Sequence, residues 1–145
     1  VTKMALMQDG RVYVFGSFST ISGVTRKNVA RLSSTGTLDT TFDPGSTGTF
    51  LDSIAVQRDG RLRVCGGFNN FFDGGFGGSG KEYVVRLNLD GTVDSTFDPR
   101  RNREVKSVSV KPDGRAGTGG IFSKYHGSGR GYLTPLKQNG RADQA

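Results

Sequence analysis

The chain has 145 residues, of which 33% are hydrophobic and 23 are glycine, and 20 basic against 13 acidic side chains give a net charge of +7. Ten phenylalanines argue against a disordered chain, and no apolar run reaches the roughly 18 residues that a membrane-spanning helix needs. The lone cysteine, Cys65, excludes an internal disulfide framework and a paired-cysteine metal site, and the lone histidine, His126, leaves no histidine cluster.

In chain order, the first apolar run is Met4 to Met7. It ends at a turn, Gln8-Asp9-Gly10, and Arg11 to Phe15 follows, rich in Val, Tyr and Phe. An Asp-Gly pair between two such runs predicts a β-hairpin, because glycine takes positive φ at no steric cost. After Phe18 comes a loop, then Asn28 to Leu32 as a third strand. A turn at Gly36 leads to Leu38–Phe42 as a short fourth strand, and Pro44 then stops pairing. No stretch has helical amphipathicity.

The same order recurs twice. Asp9-Gly10-Arg11 returns as Asp59-Gly60-Arg61 and as Asp113-Gly114-Arg115, and the 18 residues from Val1, Leu51 and Val105 align without a gap. Phe18, Phe68 and Phe122 share one repeat position, Leu32, Leu87 and Leu136 another, and Phe42 and Phe97 a third. Equivalence across repeats assigns these residues to packing between units. Four short strands in about 50 residues are the period of a propeller blade. The predicted fold is therefore all-β: about three four-stranded antiparallel blades of a β-propeller, at 1–50, 51–104 and 105–145. The third unit is degenerate, with Ala116-Gly117-Thr118-Gly119 where a β-branched strand is expected and Pro135 where Arg31 and Arg86 stand.

The pattern carried by Gln8, Asp9, Gly10, Val14, Gly16, Phe18, Arg31, Leu32, Gly36, Asp39 and Phe42 resembles the delta-60 repeat, a bacterial and phage β-propeller family. The second unit keeps it in Asp59, Gly60, Val64, Gly66, Phe68, Arg86, Leu87, Gly91, Asp94 and Phe97. The resemblance implies a propeller-type fold and a secreted, cell-surface or virion setting, and it implies no catalytic residues.

Propellers of four to eight blades are usual, and the sequence holds three repeats. It opens on the first residue of a repeat and stops where a counterpart of Phe42 and Phe97 would come next. The expectation is a portion of a longer chain, a propeller completed by several chains (two copies making six blades), or a β-prism built with other chains. Isolated, such a piece exposes apolar blade faces and is expected to associate.

The candidate contact surface lies on the loops after each second strand. The second is five residues longer than the other two and carries Phe71, Phe72 and Phe76 among glycines. By repeat symmetry the three loops share a face, where Arg26, Lys27, Lys81, Lys124, Tyr125, His126 and Arg130 gather. Basic and aromatic side chains together suit an anionic surface polysaccharide or a neighbouring protein; nucleic acid is disfavoured for want of a recognisable motif.

No metal site, cofactor motif or catalytic residue emerges. Asp90, Asp94 and Asp98 resemble a calcium loop only faintly, without its bidentate glutamate, and Asp39 and Asp94 are expected to bond their own turns. The sequence points to a non-enzymatic structural or binding segment of a phage virion, a tail or tail-fibre component. Its partners would be other structural proteins or copies of itself. The alternatives are a bacterial secreted or cell-surface adhesin, and the non-catalytic module of a polysaccharide-processing enzyme.

Overall fold

The computed structural model describes residues 1–45, 51–66, 84–97, 105–120 and 133–141. Phe68 and Phe122, the aromatic loop with Phe71, Phe72 and Phe76, and Lys81, Lys124, Tyr125, His126 and Arg130 lie outside the described residues.

The described chain is all β-structure. The first repeat builds a sheet from β1 (Lys3–Leu6), β2 (Val12–Phe15) and β5 (Val29–Leu32), in that order and antiparallel. Between them a small hairpin, β3 (Thr20–Ile21) with β4 (Val24–Thr25), stands apart. The second repeat gives β6 (Leu51–Val56), β7 (Leu62–Gly66) and β8 (Val84–Leu87), the third β9 (Val105–Val110), β10 (Ala116–Gly120) and β11 (Leu133–Leu136), with the same order and polarity.

The expected fourth strand contracts to a single bridge, Leu38 opposite Leu32 in the first blade and Val93 opposite Leu87 in the second. The chain has no room to extend it: Asp39 and Asp94 turn the backbone at once, each accepting from the amide two residues on, Thr41 and Thr96.

Register decides which side chains meet the neighbouring blade, because alternate residues of a strand face opposite ways. In the first blade Ala5, Tyr13 and Arg31 are cross-strand partners on one face, and Leu6, Val12 and Leu32 on the other. The corresponding sets in the second blade are Ala55, Arg63 and Arg86, and Val56, Leu62 and Leu87.

The core is two layers, each shared by consecutive blades. Tyr13, Phe15, Val29 and Phe42 of the first pack on Leu62, Val64, Val85 and Leu87 of the second. Cys65, Val84 and Phe97 of the second pack on Val105, Val108, Ala116 and Leu136 of the third. The third repeat, despite its glycines, forms a full three-stranded sheet. Gly117 and Gly119 lie on the face turned away from the second blade, so the face that must pack keeps Ala116, Thr118 and Leu136.

Two repeat positions differ between blades. Leu87 and Leu136 are fully buried, whereas Leu32 is half-buried, because its face of the first blade has no described blade against it. Phe18 is also half-buried and joins neither core layer. It lies beyond the end of β2, where its carbonyl accepts from the Asn28 amide and closes the β3–β4 excursion.

Candidate functional site

The charged groups that recur in the repeats converge on the joints between blades. Each Asp-Gly-Arg turn is closed the same way: Asp9 accepts from the amide and Nε of Arg11, Asp59 from those of Arg61, and Asp113 from those of Arg115. The turn glycines Gly10, Gly60 and Gly114 hold φ of 85°, 85° and 79°, where a side chain would be strained.

From the first turn, Arg11 reaches Asp39 at 3.5 Å; from the second, Arg61 reaches Asp94 at 2.8 Å. A second arginine, rising from the third strand, meets the same carboxylates. Arg31 Nε donates to Asp39 Oδ2 at 2.8 Å, and Arg86 Nε to Asp94 Oδ2 at 2.8 Å. Arg31 and Arg86 are buried. Each lies beside a phenylalanine of its own repeat, 5.1 Å from the Phe42 ring centre and 4.9 Å from that of Phe97.

One further donor of each guanidinium crosses to the next blade, while Nη2 stays within its own repeat, at the Thr41 and Thr96 hydroxyls. Arg31 Nη1 donates to the Leu89 carbonyl at 2.7 Å, and Arg86 Nη1 to the Gln138 carbonyl. Leu89 and Gln138 hold the same repeat position. A second crossing runs beside the first from the middle strand: the Tyr13 hydroxyl donates to the Gly60 carbonyl at 3.0 Å, and Arg63 Nη2 to the Gly114 carbonyl at 2.9 Å. The joint is thus a two-pronged clasp, donors on one blade and backbone carbonyls on the next.

The chain after each phenylalanine completes the joint. The Asp43 amide donates to the Asp90 carbonyl at 3.0 Å. Gly91, at φ 96°, leaves space that a Cβ would take within 2.5 Å of the Asp43 backbone. Gly140 does the same for the Phe97 ring, whose edge a Cβ would meet at 2.8 Å.

Electrostatics keep the carboxylates charged. Burial opposes ionisation of Asp94, but the hydroxyl and amide of Thr96 and then the Arg86 guanidinium outweigh it and lower the carboxyl to about 2. Asp39 is driven well below the ordinary carboxylate range by the Thr41 hydroxyl, against its own burial, with help from Arg31. Burial pushes the Arg86 guanidinium down from its usual value, and Asp94 opposes that shift. Burial likewise raises the Tyr13 phenol, so it stays a donor at neutral pH.

The third blade has no such prongs. Gly117 stands at the position of Tyr13 and Arg63, and Pro135 at that of Arg31 and Arg86. Its outward face, with Ser107, Ser109, Gly117, Gly119 and Pro135, is a shallow hollow.

Of the basic rim expected from the sequence, two residues can be placed. Lys27 is exposed. Arg26 turns inward: it is 8% exposed and pairs with Asp43 at 3.1 Å, in the segment that leads to the next blade. Asp39 and Asp94 do bond their own turns, through Thr41 and Thr96. Asp90 accepts from the amide and hydroxyl of Thr92. Among the described residues no group of three His, Cys, Asp or Glu side chains is placed to hold a metal, and no helix is long and apolar enough to cross a membrane. The lone thiol of Cys65 is buried in the second core layer.

The sequence did not single out the clasp. Its signal was an arginine flanked by apolar residues at the same position of two strands, Val-Ala-Arg-Leu and Val-Val-Arg-Leu, followed by Phe in each unit.

No curated protein and no solved structure matches the chain. A family model described as a domain of unknown function (DUF5122) beta-propeller matches residues 8–42 and 57–97, slightly more than half of the chain. Each matched segment runs from an Asp-Gly-Arg turn to the phenylalanine on which a clasping guanidinium rests. The chain, with its repeated sheets stacked through those segments, belongs to the DUF5122 beta-propeller family.

Proposed function

We propose that this chain is a non-enzymatic structural element, a rigid row of blades that holds loops toward partners in an extracellular assembly. A phage tail or tail-fibre component is the specific assignment, with assembly of virion proteins or attachment to a host surface as its role. The observation that carries the structural part is the use of the recurring charged side chains. Arg31, Arg63, Arg86, Asp39 and Asp94 are engaged in joints within and between blades. Groups neutralised in this way favour a fixed scaffold over a reaction centre.

The contacts would come from the loops, where the phenylalanines at 71, 72 and 76 and the basic residues from Lys27 to Arg130 lie. Several weak contacts on one rigid frame give avidity without a deep pocket. The virion setting rests on the resemblance of the repeats to the delta-60 class.

Peptide mapping of purified virions, with immunogold labelling of the intact particle, tests the assignment. Label confined to tails or fibres supports it. Absence from particles, with the protein on the bacterial surface, replaces it with the adhesin. A chain with Phe71, Phe72 and Phe76 changed to Ser is expected to fold and to lose its partner; retention at full strength rejects the role given to that loop.

A further inference from the structure

Four of the described turns end in Gly-Arg, and one of them holds an amide where the others hold a carboxylate. In the turns at Asp9-Gly10-Arg11, Asp59-Gly60-Arg61, Asp113-Gly114-Arg115 and Asn139-Gly140-Arg141 the glycine amide donates to the carbonyls of Met7, Gln57, Lys111 and Lys137, at 2.9–3.1 Å. The four glycines hold φ of 85°, 85°, 79° and 86°. We propose that Asn139 is a site of spontaneous deamidation: its side-chain amide is hydrolysed in place with loss of ammonia, and the new aspartate pairs with Arg141 as Asp9, Asp59 and Asp113 pair with their arginines.

The turn is shaped for a carboxylate. In the three aspartate turns one oxygen accepts from the arginine amide at 3.0–3.1 Å. The other accepts from the arginine Nε at 2.8–2.9 Å. Asn139 makes the first of these bonds, Oδ1 accepting from the Arg141 amide at 3.1 Å. It cannot make the second, because Nδ2 and a guanidinium Nε are both donors. Among the described residues no carboxylate reaches the Arg141 guanidinium.

The same turn holds the reactants. Asn139 is exposed to water, and Gly140 has no Cβ to hinder an approach of its nitrogen. Gly140 N loses its proton and bonds to Asn139 Cγ. The Cγ–Nδ2 bond breaks, and Nδ2 takes up a proton and leaves as ammonia. The product is a five-membered imide, favoured by the proximity of the two groups. The Arg141 amide, already bonded to Oδ1, stabilises the negative charge that forms there. Water then adds its hydroxyl to Cγ and its proton to Gly140 N, and the N–Cγ bond breaks. The main chain is restored, and a carboxyl stands where the amide stood. Because the Gly140 amide is held by the Lys137 carbonyl, attack waits on opening of the turn, which makes the conversion slow.

The fold selects between the two ways the imide can open. Water adding to the main-chain carbonyl instead would leave isoaspartate, with the backbone running through the side chain and longer by a methylene. The turn has no slack for it. A Cβ on Gly140 would meet the Phe97 ring at 2.8 Å. The Lys137 amide donates to the Arg141 carbonyl at 2.9 Å, and the Gln138 carbonyl receives Arg86. Ordinary aspartate keeps all three contacts. The reaction thus adds a negative charge at the joint between the second and third blades, and it does not depend on the setting in which the chain works.

The full chain, incubated folded at mildly alkaline pH and then digested, tests the site. Amide-to-acid conversion at Asn139, read by mass, is expected to be at least about tenfold faster than at Asn28, whose neighbour is the branched Val29. Cleavage by a protease that cuts before aspartate but not before isoaspartate is expected to show ordinary aspartate as the main product. Conversion no faster than at Asn28, or isoaspartate as the main product of the folded chain, overturns the proposal.

A second measurement makes the product outright. Asn139→Asp is expected to raise the urea midpoint above that of the parent, and Arg141→Ala is expected to abolish that gain. A midpoint at or below the parent's, or a gain that survives Arg141→Ala, overturns the pairing.

Discussion

Arg31 donates from Nη1 to the carbonyl of Leu89, 58 positions further along the chain, at 2.7 Å. The same guanidinium binds Asp39 through Nε and the Thr41 hydroxyl through Nη2. One planar side chain thus ties its own turn to the next blade, and Arg86 repeats the arrangement with Asp94, Thr96 and Gln138. A buried guanidinium is costly to desolvate and is stable only where its donors are met. Here the partners are a charged carboxylate and fixed backbone dipoles, so the blade boundary is specified by geometry as well as by apolar contact.

Replacing Arg86 by Met should lower stability by about 2–3 kcal/mol, since the Gln138 carbonyl loses its main donor inside the joint and Asp94 loses one of its guanidinium partners. Arg86→Lys should recover less than half of that loss, because a point charge cannot reach carboxylate, hydroxyl and carbonyl at once. Urea unfolding checks both. A midpoint unmoved by Arg86→Met would mean that the clasp contributes nothing net.

Acid should loosen the joints in a defined window. The Asp94 carboxyl lies at about 2 in the fold against an ordinary value of 3.8. A carboxyl lowered by folding contributes stability that is present above the unfolded value and is lost as pH falls through the folded one. The loss therefore falls between about pH 4 and pH 2 and amounts to about 2 kcal/mol for this group. Asp39 shifts the same way. Asp94→Asn should lower stability at neutral pH and flatten this part of the profile, followed by circular dichroism at each pH.

The two turn glycines offer a matched pair. Gly36→Ala places a side chain at φ 85° in open space, so its cost is the backbone strain alone, about 1–2 kcal/mol. Gly91→Ala carries the same strain at φ 96° and adds a collision with the Asp43 backbone. It should cost about 2 kcal/mol more than Gly36→Ala, in the range of overpacking. Thermal melts of the two variants measure the difference. Equal losses would mean that the Asp43 crossing is not fixed.

Much of the architecture is legible in the amino-acid sequence. The Asp-Gly turns, the apolar run from Val12 to Phe15 and the recurrence of three repeats lead directly to stacked sheets, because hairpin chemistry is local and a period of about 50 residues marks a repeated unit. The clasp was harder to see, and the reason is physical. Arg31 and Arg86 were visible as a repeat position, but their cross-blade partners are backbone carbonyls 58 and 52 positions away. A carbonyl belongs to every residue, so no sequence pattern marks the one that is used. Arg26 shows the converse. A basic residue in a loop looks solvated until the fold brings Asp43 to within 3.1 Å. The aromatic loop and most of the basic rim lie outside the described residues, and their role rests on composition alone.

Arg26 and Lys27 are adjacent in sequence and should separate in function. Arg26 is buried, its amide donating to the Ser19 carbonyl at the base of the β3–β4 hairpin while its head holds Asp43. Arg26→Ala should destabilise the chain by about 1 kcal/mol through lost packing, since Asp43 stays largely in water and is not stranded. Lys27 is exposed, and Lys27→Ala should leave stability within about 0.5 kcal/mol of the parent. If the rim meets an anionic glycan, Lys27→Ala should weaken binding to a sulfated polysaccharide column, and added salt should erase the difference because exposed charges are screened within about 10 Å at moderate ionic strength. Retention that ignores both salt and Lys27 would remove the anionic ligand from the function proposed for this face.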